Sequence, residues 1–255
     1  MKKIIILNKK EGETPLEALE DFRRKNKKYK NVKMTYAGRL DPMASGLLLI
    51  LAGKEVKQKE RYLKLSKEYE FEILFGFSTD THDILGKVYH SNILTNVGIN
   101  LSKKKLVKLI RSNLKNFQGE FTQDYPMYSS KTVKGKPLFQ YARTGKGVDI
   151  PSRKIYVKSL TFVKIKKITP KNLLRNIEKR IKKIKGDFRQ EEILKIWNKK
   201  LNKKTIPLFT ANFKIKCGGG TYVRGIAHSL GKKIGVPALA FSIKRIKVGI
   251  YTKEG

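Results

Sequence analysis

Gly38-Arg39-Leu40-Asp41-Pro42-Met43-Ala44-Ser45-Gly46 runs directly into Leu47-Leu48-Leu49-Ile50-Leu51-Ala52. The apolar run is too short to span a bilayer and reads as a buried strand. The segment before it is a loop with a glycine at each end. Pro42 pushes Asp41 out of the helical region, so the Asp41 carboxylate sits on extended or turn backbone. An acid fixed on a rigid loop against a core strand has its geometry set by the scaffold, which suits a reacting group. Taken alone, the same pattern also fits a turn with a capping aspartate.

The chain has 255 residues, enough for a full core in one large domain or two small ones. Lysine and arginine number 58 against 21 acidic residues, a formal net charge of +37. Such an excess points to a polyanionic partner, nucleic acid first and an anionic membrane surface second. A single cysteine excludes an intrachain disulfide and fits a reducing compartment. No signal peptide and no membrane span are legible, so the expectation is a soluble cytoplasmic protein. No internal repeat and no Pro-, Gly- or Ser-rich linker divides residues 1–255.

Outward from the Asp41 loop, Ile4 to Leu7 reads as a strand. Thr14-Pro15-Leu16-Glu17 reads as a capping box with proline at the first helical position. The helix behind it places Leu16, Leu19 and Phe22 on one face. Gly53 to Ser66 reads as helical, and Tyr69 to Phe75 alternates as a strand. Thr79-Asp80-Thr81-His82-Asp83 holds two acids beside a histidine, too few ligands for a metal cage. Ser102 caps a helix that carries Leu106, Leu109, Ile110, Leu114 and Phe117. Residues 119–149 mix lysine and arginine with tyrosine and phenylalanine, ingredients for phosphate contact and base stacking. Arg153 to Lys166 reads as a strand.

Pro170 to Leu201 reads as two amphipathic helices, with Gly186 breaking the first and Asp187-x-x-Gln190 predicting a second capping box. This inserted helical hairpin (168–206) is either a further RNA contact or a solvated decoration. Phe209 to Cys217 alternates cleanly as a half-buried strand, which makes Cys217 a core residue. Gly218-Gly219-Gly220-Thr221-Tyr222-Val223-Arg224-Gly225 lacks the Gly-Lys-Ser/Thr of a phosphate loop and opens a helix that ends near Gly235. Phe241 to Tyr251 reads as the last strand.

Gly-Arg-Leu-Asp-Pro-x-Ala-Ser-Gly resembles the catalytic loop of the TruB family of tRNA pseudouridine-55 synthases. Further segments resemble that family in order. They are Asn8-Lys9-x-x-Gly12-x-Thr14-Pro15, Tyr69 at the family's spacing from the loop, Thr79-Asp80-Thr81-x-Asp83-x-x-Gly86, Gln123 to Thr132, Lys136 to Gly145, and Gly220-x-Tyr222-x-Arg224. The match covers about residues 5–166 and 208–252.

The resemblance implies an α+β fold with a mixed, mainly antiparallel sheet flanked by helices, and a basic RNA-gripping, thumb-like insertion over 119–149. It implies Asp41 as catalytic residue, with Arg224 paired to it and Tyr69 and Ile243 enclosing the target base. Tyr36, which stands where the family has histidine, Asp83 and Tyr222 complete the substrate-binding set. Arg39, Tyr128, Lys136 and Arg143 are the expected RNA contacts. Thr132 stands where the family has lysine, so that lysine's role is not carried over.

The implied reaction breaks the N1–C1′ bond of uridine, rotates the base and joins C5 to C1′. It involves no net redox change, so no cofactor and no metal is expected. The carboxylate either attacks sugar or base, or takes the C2′ proton. The target base must leave its stack, at a cost of about a few kcal/mol that stacking and phosphate contacts offset. The implied partner is the T arm of tRNA, with no guide RNA and no membrane, and the protein acting as a monomer. Many family members carry a further PUA-type domain, and the expectation here is a catalytic domain without it. A tRNA-binding or RNA-folding protein that has lost catalysis is the alternative.

Overall fold

The apolar run of the Asp41 loop is the strand around which the sheet is built. The computed structural model describes residues 2–91, 102–202 and 204–253. In chain order the strands are β1 (Ile4–Lys9), β2 (Met34–Ala37), β3 (Ala44–Ala52), β4 (Lys67–Phe75), β5 (Ser78–Thr79), β6 (Val88–His90), β7 (Gly119–Asp124), β8 (Thr132–Val133), β9 (Lys136–Pro137), β10 (Ser152–Ile168), β11 (Leu208–Cys217) and β12 (Ala238–Val248). The helices are α1 (Pro15–Lys25), α2 (Lys59–Lys64), α3 (Lys103–Asn113), α4 (Leu138–Thr144), α5 (Pro170–Ile181), α6 (Gln190–Leu201) and α7 (Val223–Ile234).

The main sheet has the order β1-β3-β12-β4-β11-β10-β7, with β2 also paired to β3. All pairings are antiparallel except β3 with β12. This is the mixed, mainly antiparallel α+β architecture the sequence led us to expect. Both faces of β3 are covered, which explains a continuous apolar run in place of alternation. Leu48, Ile50 and Ala52 meet Leu19 and Tyr29, and Leu47, Leu49 and Leu51 meet Tyr62 and Val248.

The central strands alternate as read. Tyr69, Phe71, Ile73 and Phe75 of β4 and Phe209, Ala211, Phe213, Ile215 and Cys217 of β11 share one core with α3 and α7. The opposite face is polar over part of its length, where Lys214 pairs with Glu70 at 3.2 Å and Lys216 with Glu68 at 2.9 Å across the β4–β11 ladder. The rest of that face is apolar. Leu74, Leu208, Leu239 and Phe241 pack there against Leu173, Ile177, Ile181, Ile193, Trp197 and Leu201 of α5 and α6. The hairpin is therefore part of the core.

The local signals hold in some places and fail in others. The Thr14–Glu17 capping box is formed in both directions. Leu16, however, is exposed, and Ala18 with Leu19 makes the buried stripe of α1. The stretch read as helical after Gly53 is 3₁₀ over Gly53–Gln58 before α2 begins. The capping box expected at Asp187 does not form. Arg189 stands at the N-cap of α6 in the left-handed region (φ 63) with no side-chain cap. Asp187 Oδ1 accepts from the Arg189 backbone, and Gln190 bonds to Phe188, Ile184 and Gly186 to close the turn. The first hairpin helix ends at Ile181, before Gly186. The last strand starts at Ala238, directly after the left-handed Gly235 cap and Pro237, and ends at Val248, where a turn to Tyr251 closes.

Residues 119–124 are strand β7 at the edge of the main sheet. The small module beyond it consists of the β8–β9 hairpin and α4. No helix among the described residues is long and apolar enough to cross a membrane.

Candidate active site

The Asp41 loop is held from three directions. Gly12 donates its backbone N–H to the Pro42 carbonyl at 2.8 Å, and Ala44 donates to the Asp41 carbonyl at 2.9 Å. Arg245 of β12, 1% exposed, lies under the loop. It donates to the carbonyls of Leu47 at 2.7 Å, Gly38 at 3.2 Å and Arg39 at 3.4 Å. The parallel pairing of β3 with β12 requires glycine at position 46. Its φ is +106°, and a Cβ there would stand 2.2 Å from the Arg245 carbonyl oxygen.

The carboxylate itself is gripped by Arg224, the second residue of α7. Arg224 donates from Nε to Asp41 Oδ2 at 2.7 Å and from Nη2 to Oδ1 at 3.1 Å. This bidentate fork fixes both the distance and the plane of the carboxylate. The Arg224 side chain is 3% exposed, whereas that of Asp41 is 37% exposed. The cation is thus out of water while the acid still faces the open side. The rest of the guanidinium is saturated by protein. Nη1 donates to the Thr81 carbonyl and Nη2 also to the Tyr128 carbonyl at 3.3 Å. Asp83 lies 3.7 Å from Nε. Burial opposes the charge on Arg224, but the Asp41 and Asp83 carboxylates outweigh it and raise its pKa.

Asp83 is buried. It accepts from Thr81 Oγ1 at 2.7 Å and from the Leu85 backbone at 3.0 Å. Burial pushes its carboxyl pKa up, against the pull of Arg224. Its partners make it a support for Arg224. His82 has φ 61, and its ring lies 4.0 Å from that of His228 at an interplanar angle of 4°. Burial, with His228 beside it, lowers its pKa to about 3. Asp80 pairs with Arg189. Among the described residues no group of three or more His, Cys, Asp or Glu side chains is placed to hold a metal ion. Cys217 is buried, and burial raises its thiol pKa to about 11.

Tyr69 and Ile243, each 8% exposed, belong to the same core as Leu40 and Ala44, which flank Asp41 in sequence. Burial raises the Tyr69 pKa, opposed by Arg245, so the phenol is protonated at neutral pH. Tyr222 is the N-cap of α7. Gln123 of β7 holds it by both backbone groups, accepting from its N–H at 2.9 Å and donating to its carbonyl at 3.0 Å. Its ring meets Tyr125 edge-on at 5.7 Å. Burial raises its pKa, and Asp41 adds to the shift.

Asp41, Arg224 and Asp83 thus form one ionic cluster, Tyr69 and Tyr222 lie within electrostatic reach of Asp41, and Ile243 stands beside Ala44 in the β3–β12 pairing. Tyr36 has another setting. It packs on the β3 face that also carries Leu48 and Ile50, with Arg39 at 5.9 Å and Lys59 at 5.7 Å over its ring. Arg39 and Lys136 are exposed. Tyr128 is tied to Arg189, and Arg143 donates to the Asp187 carbonyl at 2.6 Å, so both join the thumb-like module to the hairpin.

Residues 24–186 match the family model described as TruB family pseudouridylate synthase (N terminal domain). The chain belongs to the TruB family. The curated tRNA pseudouridine synthase B of Ligilactobacillus salivarius (strain UCC118) is 32% identical over 246 residues, covering 96% of this chain and 67% of that protein. The protein of the same name from Aquifex aeolicus (strain VF5) is 30% identical over 251 residues, covering 98% and 69%. This TruB-family chain thus spans about two thirds of the length of those relatives. Among solved structures, a Cbf5-Nop10-Gar1 complex contains a chain that superposes with a TM-score of 0.56 at 18% identity, over 98% of this chain and 50% of that one. This likeness supports the fold.

Reading the sequence missed several residues that build the TruB site. Arg245 is the largest omission, followed by Arg189 and the role of Gln123. Lys9 is 1% exposed and donates to the carbonyls of Glu13 at 2.6 Å and Lys10 at 2.9 Å. Burial, partly opposed by Glu13 and Asp41, lowers its pKa to about 8. Lys9 closes the mostly apolar strand β1, whereas Arg245 stands among Lys244 and Lys247 and has no signal of its own in the sequence.

Proposed function

We propose that this chain isomerises uridine to pseudouridine at position 55 in the T arm of tRNA, with Asp41 as the catalytic residue. Family membership carries the reaction class, and the tRNA substrate follows the curated relatives. The observation that carries the role of Asp41 is the buried Arg224 fork, which leaves a half-exposed carboxylate with one orientation. A preset geometry of this kind removes orientational freedom from the barrier. In this reading the Tyr69 phenol and the Ile243 side chain, which share a core with Leu40 and Ala44 of the Asp41 loop, enclose the flipped uracil. Arg39, Lys136 and the wider excess of basic side chains are suited to gripping the phosphate backbone, a sequence-independent and salt-sensitive attraction. Arg39 and Lys59, which lie over the Tyr36 ring, are the groups there suited to a phosphate. In this reading the protein acts as a monomer, without guide RNA, in the cytoplasm.

The reaction exchanges the N1–C1′ bond for a C5–C1′ bond, and the C5 hydrogen leaves as a proton while N1 gains one. Tritium at C5 therefore appears in water. The test is a tRNA transcript tritiated at C5 of its uridines, beside one in which uridine 55 is replaced by cytidine. One equivalent released from the first and none from the second is expected. Equal release from both would place the target elsewhere.

A further inference from the structure

Arg224 owes its orientation to two backbone carbonyls as well as to Asp41. One is that of Tyr128, at the root of the thumb-like module, and the other is that of Thr81, in the turn after β5. These two segments are far apart in sequence and share a single clasp. Arg189, from the turn before α6, donates from Nη1 to Asp80 Oδ2 at 2.7 Å and from Nη2 to Asp80 Oδ1 at 3.4 Å. The same Nη1 donates to the Tyr128 hydroxyl at 2.5 Å, and the guanidinium lies 4.2 Å above the Tyr128 ring. Asp80 precedes Thr81 directly and also accepts from the Lys87 backbone at 2.8 Å, which anchors that turn. Arg189 thus holds Tyr128 directly, and through Asp80 the turn that carries Thr81, the two segments whose carbonyls aim Arg224.

The backbone at Arg189 is unusual. It is one of three non-glycine residues among those described with positive φ, and it caps α6 without a side-chain bond to the helix. A non-glycine residue in the left-handed region is strained and persists where surrounding contacts over-determine it. Here those contacts are Asp80 and Tyr128, so the side chain is directed away from the helix and towards the site.

We propose that Arg189 is a positioning residue for the isomerisation, fixing Tyr128 and Asp80 so that Arg224 presents Asp41 in one orientation. This rests on Asp41 being the reacting group. It gives the α5–α6 hairpin a catalytic purpose, since the hairpin delivers the clasp as well as core side chains.

The test is single-turnover kinetics on C5-tritiated tRNA with Arg189→Gly, beside wild type and an Asp41→Asn control. Glycine accepts φ 63 without strain, so it removes the clasp while relieving the backbone. The expected result is a maximal rate lowered about tenfold or more, the scale set by small misplacements at a reacting centre. Half-saturation should stay within about twofold of wild type, with the melting temperature kept. Arg189→Asn, which also tolerates the left-handed region, should behave alike, and Arg189→Lys should recover part of the rate. Adding Asp80→Asn to Arg189→Gly should lower the rate no further.

An unchanged maximal rate would overturn the proposal. So would a rise confined to half-saturation, which would make Arg189 an RNA contact. Full activity of Asp41→Asn would instead strike the parent reading, a separate outcome.

Discussion

Two buried arginines hold the Asp41 loop, and they hold it by different means. Arg224, above the loop, spends its guanidinium on charge. It meets Asp41 bidentately, faces Asp83, and uses two carbonyls to set its own direction. Arg245, below the loop, directs its guanidinium at backbone. It donates to the carbonyls of Gly38, Arg39 and Leu47 and stands against Tyr69. One arginine aims the Asp41 carboxylate, and the other fixes the backbone that carries it. A loop that must bear a carboxylate at a set place needs both, because the fork orients Asp41 only if its Cα is also fixed.

The largest effect should come from Arg224→Lys. An ammonium keeps the charge but cannot form the planar fork, so turnover should fall about hundredfold or more, read as tritium release at saturating tRNA. Turnover within threefold of wild type would break the distinction, because orientation by the fork would then be unimportant. Arg245→Met should read out first in stability. It leaves the Leu47 carbonyl, which is buried, and the half-buried carbonyls of Gly38 and Arg39 short of a donor, at about 1–3 kcal/mol for an unsatisfied buried group. The melting temperature should drop by about 5 °C or more, given about 2–4 °C per kcal/mol for a domain of this size. An unchanged melting temperature with abolished turnover would make Arg245 part of the chemistry and erase the contrast.

The difference between the arginines also marks what the sequence could convey. The β3 run, the Thr14–Glu17 box and α7 ending at Gly235 were legible because their causes are local: apolar length, a cap and a left-handed glycine. The Asp41–Arg224 pair spans 183 residues. One arginine among 58 basic residues has no signal of its own, so only the resemblance identified it. Arg245 and Arg189 stayed hidden because their partners are backbone carbonyls or side chains brought near by tertiary packing. The Asp187 box failed for a similar reason. Contacts of the Arg189 side chain with Asp80 and Tyr128 go with a left-handed backbone at the N-cap, a conformation the box cannot use. The hairpin could be read as amphipathic, but the Leu74–Phe241 surface that receives it is assembled from three strands distant in sequence.

The most direct measurement is tritium release from C5-labelled tRNA by wild type beside Asp41→Asn, with tRNA affinity measured on both. Release by wild type alone, with affinities within about threefold of each other, is the predicted result. Release by Asp41→Asn at a comparable rate would contradict the account, because the carboxylate that both arginines serve would then not be the reacting group.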